Sequence, residues 1–481
     1  MKFSVSFAGV FFLLSSWASA QSLTWTGSTN SDFFNEQNWV VTGSQNAPAD
    51  GAINPSTTIS YDLVIENAEL DISGNGLITF SAASKGISLD GASLTVDGLT
   101  TGKIALSNAA TLIFKLSSAL GTQASLDIAD AKSWVKFLEV EPGTVQSSYL
   151  SKIKSNNTAL TVSTTVRINQ YYFKGSLVRL IKSNHQPLML YDESNLAGTS
   201  FGVAEFNIYN ATSLGQFNDL ATSFKLERGY VMTMADLTDG KGKSQVFIAS
   251  EEDLKLNLAT ALNNKASFIR VMPWNWVTKK GGASFTEGIN TSWTYNWGNG
   301  SNSLANLEYA PMAWGGGGAS TASVATQIQK KNVTHMMGFN ESDNCDDQSG
   351  QYTVNGEKLC VVSNAVAQYS NLMGTGLRLV SPSPREDGPK ANGWLTQFRD
   401  LAVTEDVRMD VIGVHWYDWG SNPANSTNVN AQDVFNRFKS YLTDVHNRYQ
   451  KPIWITEFNA NPNRDSSVNI AFIKLALPYL E

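Results

Sequence analysis

The sequence predicts a multidomain protein with a β-rich N-terminal domain, an internally repeated β domain and a C-terminal (β/α) barrel. Three observations support this prediction. Short strand-like runs fill the first third of the chain, a constant 44-residue offset relates two segments of the middle, and apolar runs alternate with helical segments beyond Trp274. A length of 481 residues gives each domain enough sequence for a hydrophobic core.

The composition indicates a folded, aromatic-rich protein. The chain is 42% hydrophobic and 16% charged, with an aromatic fraction of 11% that includes 13 tryptophans. This composition argues against extended disorder. A net charge of −7 without a basic stripe argues against nucleic acid as a partner. Neutral substrates fit this balance better, and abundant aromatic rings suit stacking on sugars.

The first twenty residues are organised like an export signal. Lys2 gives a positive n-region, "VSFAGVFFLLSSW" an apolar core, and "ASA" a cleavage site that ends at Ala20. The apolar run is short for a membrane-spanning helix, and no later run of about 18 apolar residues follows. We therefore expect a signal peptide over residues 1–20 and a secreted or periplasmic monomer without a membrane span.

Residues 21–165 form the predicted β-rich accessory domain. They are rich in Ser, Thr, Gly and Ala, and runs such as "DLVIEN", "SLTVDG" and "TLIFKL" are separated by turn residues. A sandwich and a β-solenoid both agree with this pattern, and the short, closely spaced strands favour the solenoid. The segment shows no catalytic chemistry, so we interpret it as a structural spacer or a carbohydrate-binding module.

Residues 170–275 contain an internal repeat. Four residues recur at one offset of 44 positions: Gly198 as Gly242, Ser200 as Ser244, Ser223 as Ser267, and Phe224 as Phe268. Four matches at one offset indicate two copies of a supersecondary unit.

The two copies resemble the Greek-key motif of βγ-crystallins. Tyr191, Leu196 and Gly198 follow the spacing of that family's aromatic corner, with Leu in place of an aromatic residue. "NDLATS" resembles the family's calcium-binding pattern, whereas the second copy, "LNNKAS", departs from it. The resemblance implies a structural Ca²⁺ bound by hard oxygen ligands of Asn218, Asp219, Thr222 and Ser223. A crystallin-like fold that binds no metal is the alternative.

Residues 276–481 are predicted to form a (β/α)8-type TIM barrel. Runs with aromatic or polar tips, including "SWTYNWG", "VTHMMGFNE" and "KPIWITEFNA", alternate with helical segments such as "AQDVFNRFKSYLTDVHNRYQ". Functional residues of such barrels lie at the carboxyl ends of the strands. Only seven strand-like runs follow Trp276, with "KKGGAS" as the first. We therefore expect a barrel truncated before its last strand and a chain that is a fragment.

Two glutamates end two of these runs. Glu341 follows "GFN", and Glu457 lies in "WITEFN", so a barrel would direct both side chains into one cleft. Glycoside hydrolysis requires two such carboxyl groups: one protonates the leaving oxygen, and the other attacks the anomeric carbon or activates water. Asn340 is placed to bind the neighbouring sugar hydroxyl. The alternative is two unrelated surface acids.

These glutamates lie in motifs that resemble glycoside hydrolase family 128, the endo-β-1,3-glucanases of a retaining clan. The motifs occur in order: "WTYNWG", "EYAPMAWG", "GFNESD", "LVSPS", "HWYDW" and "KPIWITEF". The resemblance implies retaining hydrolysis of β-1,3-glucan without a catalytic cofactor, with Glu341 as acid/base and Glu457 as nucleophile. The predicted sugar-binding residues are Asn340, Tyr295, Asn296, Trp297, Trp314, His415, Trp416 and Tyr417.

Two further features bear on this prediction. Ser342 follows the acid/base residue, where the family usually has Pro. Cys345 and Cys360 lie close together in an exported chain, which predicts a disulfide, and the four histidines lack zinc-ligand spacing. Hydrolysis of another β-linked polysaccharide, such as β-1,3-xylan or β-mannan, is one alternative. A non-catalytic glucan-binding surface protein is another, although it would be expected to lack one glutamate.

Overall fold

A computed structural model describes residues 22–44, 46–161, 166–171, 175–181, 184–276, 279–284, 291–304, 307–421 and 430–480. The export signal predicted over residues 1–20 lies outside this range. The described residues form two compact units. One runs up to Ile168 and includes Ser176–Ile181; the other contains 169–171, Gly175 and the residues from 184 onward. Among the described residues, no helix is long and apolar enough to cross a membrane.

The first unit is built almost entirely from short strands. These are β1 (Ser22–Trp25), β2 (Trp39–Val41), β3 (Asp62–Glu66), β4 (Glu69–Asp71), β5 (Leu77–Thr79), β6 (Gly86–Asp90), β7 (Ser93–Val96), β8 (Gly98–Ser107), β9 (Thr111–Phe114), β10 (Leu120–Ile128), β11 (Trp134–Phe137), β12 (Ile153–Ser155), β13 (Thr158–Ala159), β14 (Val166–Tyr171) and β15 (Gly175–Leu180).

The chain of this unit alternates between two sheets. One sheet has the order β13-β12-β10-β8-β6-β3-β1-β2, with β5 added to β8, and the other has the order β14-β15-β11-β9-β7-β4. The ladders from β3 to β12 and from β4 to β11 are parallel. Inward side chains such as Leu63, Leu89, Leu94 and Leu112 are fully buried between the sheets. This winding is a β-solenoid, the interpretation that the sequence favoured over an antiparallel sandwich.

Eight strands of the second unit form two antiparallel sheets. They are β16 (Leu188–Tyr191), β17 (Ser200–Val203), β18 (Ile208–Asn210), β19 (Ser223–Leu226), β20 (Tyr230–Ala235), β21 (Ser244–Ala249), β22 (Leu254–Asn257) and β23 (Phe268–Pro273). The sheet orders are β17-β16-β19-β22 and β18-β23-β20-β21. The third strand of each copy therefore joins the sheet of the other copy, which agrees with the predicted pair of Greek keys. We call these strands the repeat domain.

The internal repeat has a clear steric basis at one glycine position. Gly198 and Gly242 have φ of +79° and +73°, a left-handed backbone that favours glycine. A Cβ atom would lie 2.0 Å from Asp192 Oδ1 at the first glycine and 2.2 Å from Asp236 Oδ1 at the second. Each copy thus packs an aspartate directly against its glycine.

The remaining strands form the β/α region. They are β24 (Gly281–Ala283), β25 (Trp293–Tyr295), β26 (Glu308–Tyr309), β27 (His335–Met337), β28 (Thr353–Val354), β29 (Glu357–Lys358), β30 (Arg378–Val380), β31 (Ile412–Trp416) and β32 (Ile453–Phe458). Strands β28 and β29 form a hairpin outside the main sheet. The other seven are parallel and follow one another in chain order, because bridges Met312–Met337 and Val380–Val411 connect their three ladders.

The closed (β/α)8 barrel is not confirmed. Within the described part of the region, no ladder or bridge joins β32 to β24. The α-helices of the described residues are α1 (Pro142–Thr144), α2 (Ala211–Leu214), α3 (Thr321–Ile328), α4 (Val362–Tyr369), α5 (Trp394–Thr404), α6 (Ala431–Tyr449) and α7 (Ser466–Leu480). Ser320 and Asn430 are the N-caps of helices α3 and α6, and their side chains accept the N–H groups of Ser323 and Asp433.

Arg270 on β23 links the repeat domain to the β/α region. Its guanidinium donates to the carbonyl oxygens of Thr375, Ile328 (2.8 Å) and Lys330 (3.2 Å). These carbonyls end helix α3 and a 3₁₀ segment, where backbone acceptors lack helical partners. Arg270 is 1% exposed, and this burial lowers its pKa to about 10.

Candidate active site

Glu341 lies where the chain leaves the carboxyl end of β27. Its N–H donates to the carbonyl of Ser383 (2.9 Å), and Asn340 forms a bridge with the same residue. The backbone of Glu341 has φ of +43°, in the left-handed region. Such a conformation costs a non-glycine residue on the order of 1–3 kcal/mol, and it is concentrated at functional sites. The strained backbone thus marks Glu341 as a candidate functional residue.

Glu457 lies near the end of β32 and accepts two hydrogen bonds. Tyr417 donates its hydroxyl to Oε2 (2.6 Å), and the indole N–H of Trp297 donates to Oε1 (2.8 Å). Hydrogen bonds to a charged acceptor are short and strong. Two donors on one carboxylate suit an oxygen that carries negative charge and attacks an electrophile.

His415 lies between the two carboxyl groups. Its Nδ1 is 2.9 Å from Glu341 Oε1, and its Nε2 is 3.6 Å from Glu457 Oε1. The imidazole is 1% exposed, whereas each glutamate side chain is 17% exposed. One potential ligand atom from each of the three residues lies within 4.8 Å of the other two. The glutamates are therefore close enough to act on one bond.

Two tyrosines support the Glu457 end of the site. Burial, followed by the charges of Glu457 and Glu341, raises the pKa of Tyr417 far above its usual value, so its hydroxyl keeps the proton that it donates. Tyr295 donates its hydroxyl to the carbonyl oxygen of Thr456 (2.7 Å), and burial likewise raises its pKa. Tyr295 therefore braces the strand that carries Glu457.

The surroundings of the two glutamates expose aromatic rings and hold unpaired polar atoms. Trp297 is 38% exposed and Trp419 is 47% exposed. Asn340 Oδ1 and His415 Nε2 are buried and have no hydrogen-bond partner among the described residues. Exposed rings beside unpaired polar groups are suited to a ligand with apolar faces and hydroxyl edges, such as a sugar.

A pocket of about 700 Å³ opens next to Trp297, at the tips of β25 and β26. Its lining includes Gly298, Trp314 and Tyr352. The rings of Trp314 and Tyr352 meet edge to face at 5.8 Å between centroids, and the Trp314 carbonyl accepts the N–H of Asn340. The predicted sugar-binding residue Trp314 thus lines this pocket, beside the Glu341 strand tip.

Two of the predicted sugar-binding residues, Trp416 and Asn296, have side chains that contact other residues rather than the two glutamates. Trp416 is 2% exposed and packs against Phe438 and Phe472, in the layer formed by β31 with helices α6 and α7. Successive residues of a strand face opposite sides, so when His415 faces Glu341, Trp416 faces the helices. Asn296 is exposed, but its side chain contacts Ser301 and Tyr309 rather than either glutamate.

Sequence reasoning missed a group of charged residues around the strand tips. Glu386 accepts the backbone N–H groups of Tyr417 (3.3 Å) and Trp419 (3.0 Å). Asp418 is held by Arg437 (2.6 Å) and by Arg464 (3.1 Å). Glu386, Asp418 and Arg464 lie in irregular segments and Arg437 lies in α6, and no spacing pattern singled them out.

The predicted disulfide between Cys345 and Cys360 is confirmed. It closes the loop that follows Glu341 and contains the β28–β29 hairpin. Gln348 in this loop accepts the side-chain amide of Asn340 (3.2 Å), and the Ser349 N–H donates to the Asn340 carbonyl (3.3 Å). The cross-linked loop therefore supports the residue next to Glu341.

The predicted calcium-binding loop of the repeat domain has an orphaned oxygen. Asn218 Oδ1 is buried and has no hydrogen-bond partner in the described structure, and Asp219 is exposed beside it. Thr222 contacts Asn264 of the second copy (3.0 Å). Ser223 is already used, since its hydroxyl donates to Glu193 O (2.6 Å) and accepts Leu196 N–H (3.0 Å). The oxygens of Asn218 and Asp219 fit a hard cation.

The β/α region has a counterpart among known families. Residues 272–481 match the family model described as glycosyl hydrolase catalytic core. This match confirms the predicted resemblance of the C-terminal part of the chain to glycoside hydrolases. Both glutamates of the pair lie inside the matched residues.

Solved structures of similar chains carry the names of both families that the motifs resemble. An endo-β-1,3-glucanase of family 128 from Amycolatopsis mediterranei, in complex with laminaritriose, is 26% identical; the match covers 41% of this chain and 80% of that one, with a TM-score of 0.31. A curdlan-specific exo-β-1,3-glucanase of that family from Blastomyces gilchristii is 25% identical, covering 42% and 83%, with a TM-score of 0.32. A βγ-crystallin domain from Flavobacterium johnsoniae is 28% identical, covering 18% and 94%, with a TM-score of 0.16. A search of curated proteins finds no match.

Proposed function

We propose that this protein is a retaining endo-β-1,3-glucanase in which Glu341 is the acid/base and Glu457 is the nucleophile. The observation that carries the proposal is the pairing of these two glutamates around His415. Their nearest ligand atoms lie within 4.8 Å. Retaining glycosidases place their carboxyl groups about 5–5.5 Å apart, whereas inverting enzymes leave roughly 6.5–9.5 Å for a water molecule.

The two glutamates are assigned by their different partners. Glu457 accepts hydrogen bonds from Tyr417 and Trp297, which stabilise negative charge on an attacking oxygen. Glu341 has a single close side-chain partner in the described structure, His415 Nδ1. A carboxyl group that gives up and regains a proton needs such freedom from competing donors.

In the first step, a Glu457 oxygen attacks the anomeric carbon as the glycosidic C–O bond breaks. Glu341 transfers its proton to the leaving oxygen, and a covalent glycosyl-enzyme forms. In the second step, Glu341 takes a proton from water, whose oxygen attacks the same carbon and releases Glu457. The anomeric configuration is retained because each step inverts it once.

The β-1,3-glucan substrate is supported by the motifs around the glutamates and by the chemistry of the cleft. The exposed rings of Trp297 and Trp419 suit the apolar faces of glucose units. The residues of the site do not require a charged sugar as the substrate. The pocket beside Trp314 offers space for further units of a chain, which agrees with endo action.

Reducing-sugar release from laminarin, curdlan, xylan and mannan tests this proposal. We expect release from the two β-1,3-glucans, and loss of release in Glu457→Gln. Release from xylan or mannan alone would keep the mechanism and replace the substrate. Binding without release would support a non-catalytic glucan-binding protein.

The Glu341–His415–Glu457 group also has the donor atoms of a metal site. Activity that persists after prolonged EDTA treatment would support the cofactor-free mechanism. Activity that is lost on chelation and restored by one divalent ion would assign these side chains to metal binding instead.

We further propose that the protein is an exported monomer whose repeat domain binds a structural Ca²⁺. The export rests on the signal-like sequence of residues 1–20. The calcium site rests on the oxygens of Asn218 and Asp219. Asp219 already accepts a hydrogen bond from Ser267 of the second copy, so an ion bound here would add a cross-link between the two repeat copies. Light scattering of the purified protein tests the monomer.

A further inference from the structure

Glu386 is connected to the proposed nucleophile, Glu457, by two successive hydrogen-bonding contacts. It lies in the segment after β30, and its Oε2 accepts the backbone N–H groups on both sides of Asp418, those of Tyr417 (3.3 Å) and Trp419 (3.0 Å). The side chain of Tyr417 then donates to Glu457 (2.6 Å). The oxygen of Glu386 therefore fixes the backbone of the residue that supports the nucleophile.

The same segment is also tied to the loop of the proposed acid/base. Arg385, the neighbour of Glu386, donates from Nε to Asp343 Oδ2 (3.0 Å) and from its backbone N–H to Asp343 Oδ1 (3.1 Å). Asp343 lies two residues after Glu341. Two adjacent residues of one segment thus hold the loop that follows Glu341 and the loop that carries Tyr417, the partner of Glu457.

The environment of Glu386 is costly for a carboxylate. Burial raises its pKa, and nearby Asp418 and Asp387 raise it further, against the lowering effect of the two N–H groups. A half-buried carboxylate without a structural role would avoid this desolvation cost by pointing into solvent. The geometry here instead commits the carboxylate to two backbone donors of one loop.

We propose that Glu386 is a positioning residue that holds the Tyr417–Trp419 segment so that the Tyr417 hydroxyl remains on Glu457. The proposal rests on the assignment of Glu457 as nucleophile. Asp418, bound to Arg437 and Arg464, anchors this segment toward α6 and the chain after β32. Glu386 holds the Tyr417–Trp419 segment from the other side, from the stretch of chain that follows β30, and so sets the direction of the Tyr417 side chain.

Kinetics of four variants test the proposal: Glu386→Ala, Glu386→Gln, Tyr417→Phe and Glu386→Ala/Tyr417→Phe. We expect Glu386→Ala to lower kcat on laminarin by about tenfold with little change in KM, since small misplacements of a supporting group cost that much or more. Glu386→Gln should stay within about threefold of the wild type, because its amide oxygen still accepts the N–H groups. In the Tyr417→Phe background, Glu386→Ala should cost less than about twofold, because the two residues act through one contact.

Equal effects of Glu386→Ala in the two backgrounds would overturn the proposal, as would an unchanged kcat in Glu386→Ala. A matching circular dichroism spectrum for the wild type and Glu386→Ala shows that the variant is folded.

Crystal structures of the wild type and Glu386→Ala give a second test that needs no substrate. The distance between the Tyr417 hydroxyl and Glu457 should exceed hydrogen-bonding range in the variant, and its retention would overturn the proposal. If no β-1,3-glucan is cleaved by the wild type, the proposed function fails, while this distance still decides the role of Glu386.

Discussion

The hydroxyl of Tyr417 lies 2.6 Å from Oε2 of Glu457, the shorter of the two hydrogen bonds that this carboxylate accepts. The contact joins the end of β31 to the end of β32, two neighbouring parallel strands. Burial and two nearby carboxylates raise the pKa of Tyr417, so its phenol keeps its proton and remains the donor of this bond.

Tyr417→Phe removes this hydrogen bond and keeps the ring. We expect kcat on laminarin to fall by roughly 10- to 100-fold, since a lost donor to a reacting oxygen costs about that much or more. KM should change less, because the packing surface remains. Steady-state kinetics measure both values. Tyr479→Phe on α7, a half-exposed tyrosine, is the control and should behave like the wild type.

The proposed roles of the two glutamates predict different products with azide. With 2,4-dinitrophenyl β-laminaribioside, Glu341→Ala should still form the glycosyl-enzyme, which azide then attacks to give the β-azide. Glu457→Ala has no nucleophile, so azide should attack the substrate directly and give the α-azide. Proton NMR distinguishes the two anomers. The opposite pattern would exchange the two assignments.

Removing the disulfide should destabilise the β/α region. Cys345 and Cys360 are 15 residues apart, and closing a loop of that length is worth about 3 kcal/mol in the chain-entropy description. We expect Cys345→Ser/Cys360→Ser to unfold at a lower urea concentration than the oxidised wild type. The reduced wild type serves as the control and should match the variant; identical midpoints for all three proteins would contradict the prediction.

Because His335 is buried, we expect the free energy of unfolding to fall on mild acidification. It is fully buried beside Glu308, and burial lowers its pKa below the usual 6.5. Below pH 6.5 the unfolded chain binds a proton that the folded state does not, so stability falls as the pH falls from 6.5 toward the lower folded pKa. Thermal denaturation between pH 5 and 7.5 measures this slope.

The slope should be smaller in His335→Gln, whatever the absolute stability of that variant. His446→Gln removes an exposed histidine of α6 and should keep the wild-type slope. An unchanged slope in His335→Gln would assign the acid sensitivity to another group.

Calcium should raise the unfolding temperature of the protein, and EDTA should lower it. A ligand at 100 times its Kd stabilises the folded state by about 2.7 kcal/mol. Asp219→Ala should abolish the difference between the two conditions, whereas Asp444→Ala, which changes an exposed acid of α6, should preserve it. Equal unfolding temperatures of the wild type in calcium and in EDTA would leave the repeat domain without a metal.

The glutamate pair could be predicted because strand tips have a recognisable pattern. An apolar run that ends in a carboxylate places that group at the carboxyl edge of a parallel sheet, and both Glu341 and Glu457 obey this rule. The same alternation should have excluded Trp416: with His415 and Tyr417 facing the site, the residue between them faces the helices. The winding of the solenoid followed from strand length and spacing in the same way.

Glu386 could not be predicted by such rules. It lies in "SPSPREDGPK", an irregular segment in which no periodicity assigns a direction to any side chain. Its partners are backbone N–H groups 31 and 33 residues away, which any sequence would provide. The left-handed backbone of Glu341 is equally invisible in the sequence, because it depends on the tertiary contact with Ser383.

The contacts of Arg270 have a practical consequence for the design of shortened fragments of the protein. A fragment that starts at residue 276, the predicted start of the barrel, would lose the guanidinium that serves the carbonyls of Ile328, Lys330 and Thr375. A hydrogen bond to a charged donor contributes a net of about 1.5–3 kcal/mol, so the loss of three such bonds is large beside a domain's net stability of about 5–15 kcal/mol. Shortened versions should therefore be cut upstream of the repeat, so that the β/α region is expressed with the repeat domain that supplies Arg270.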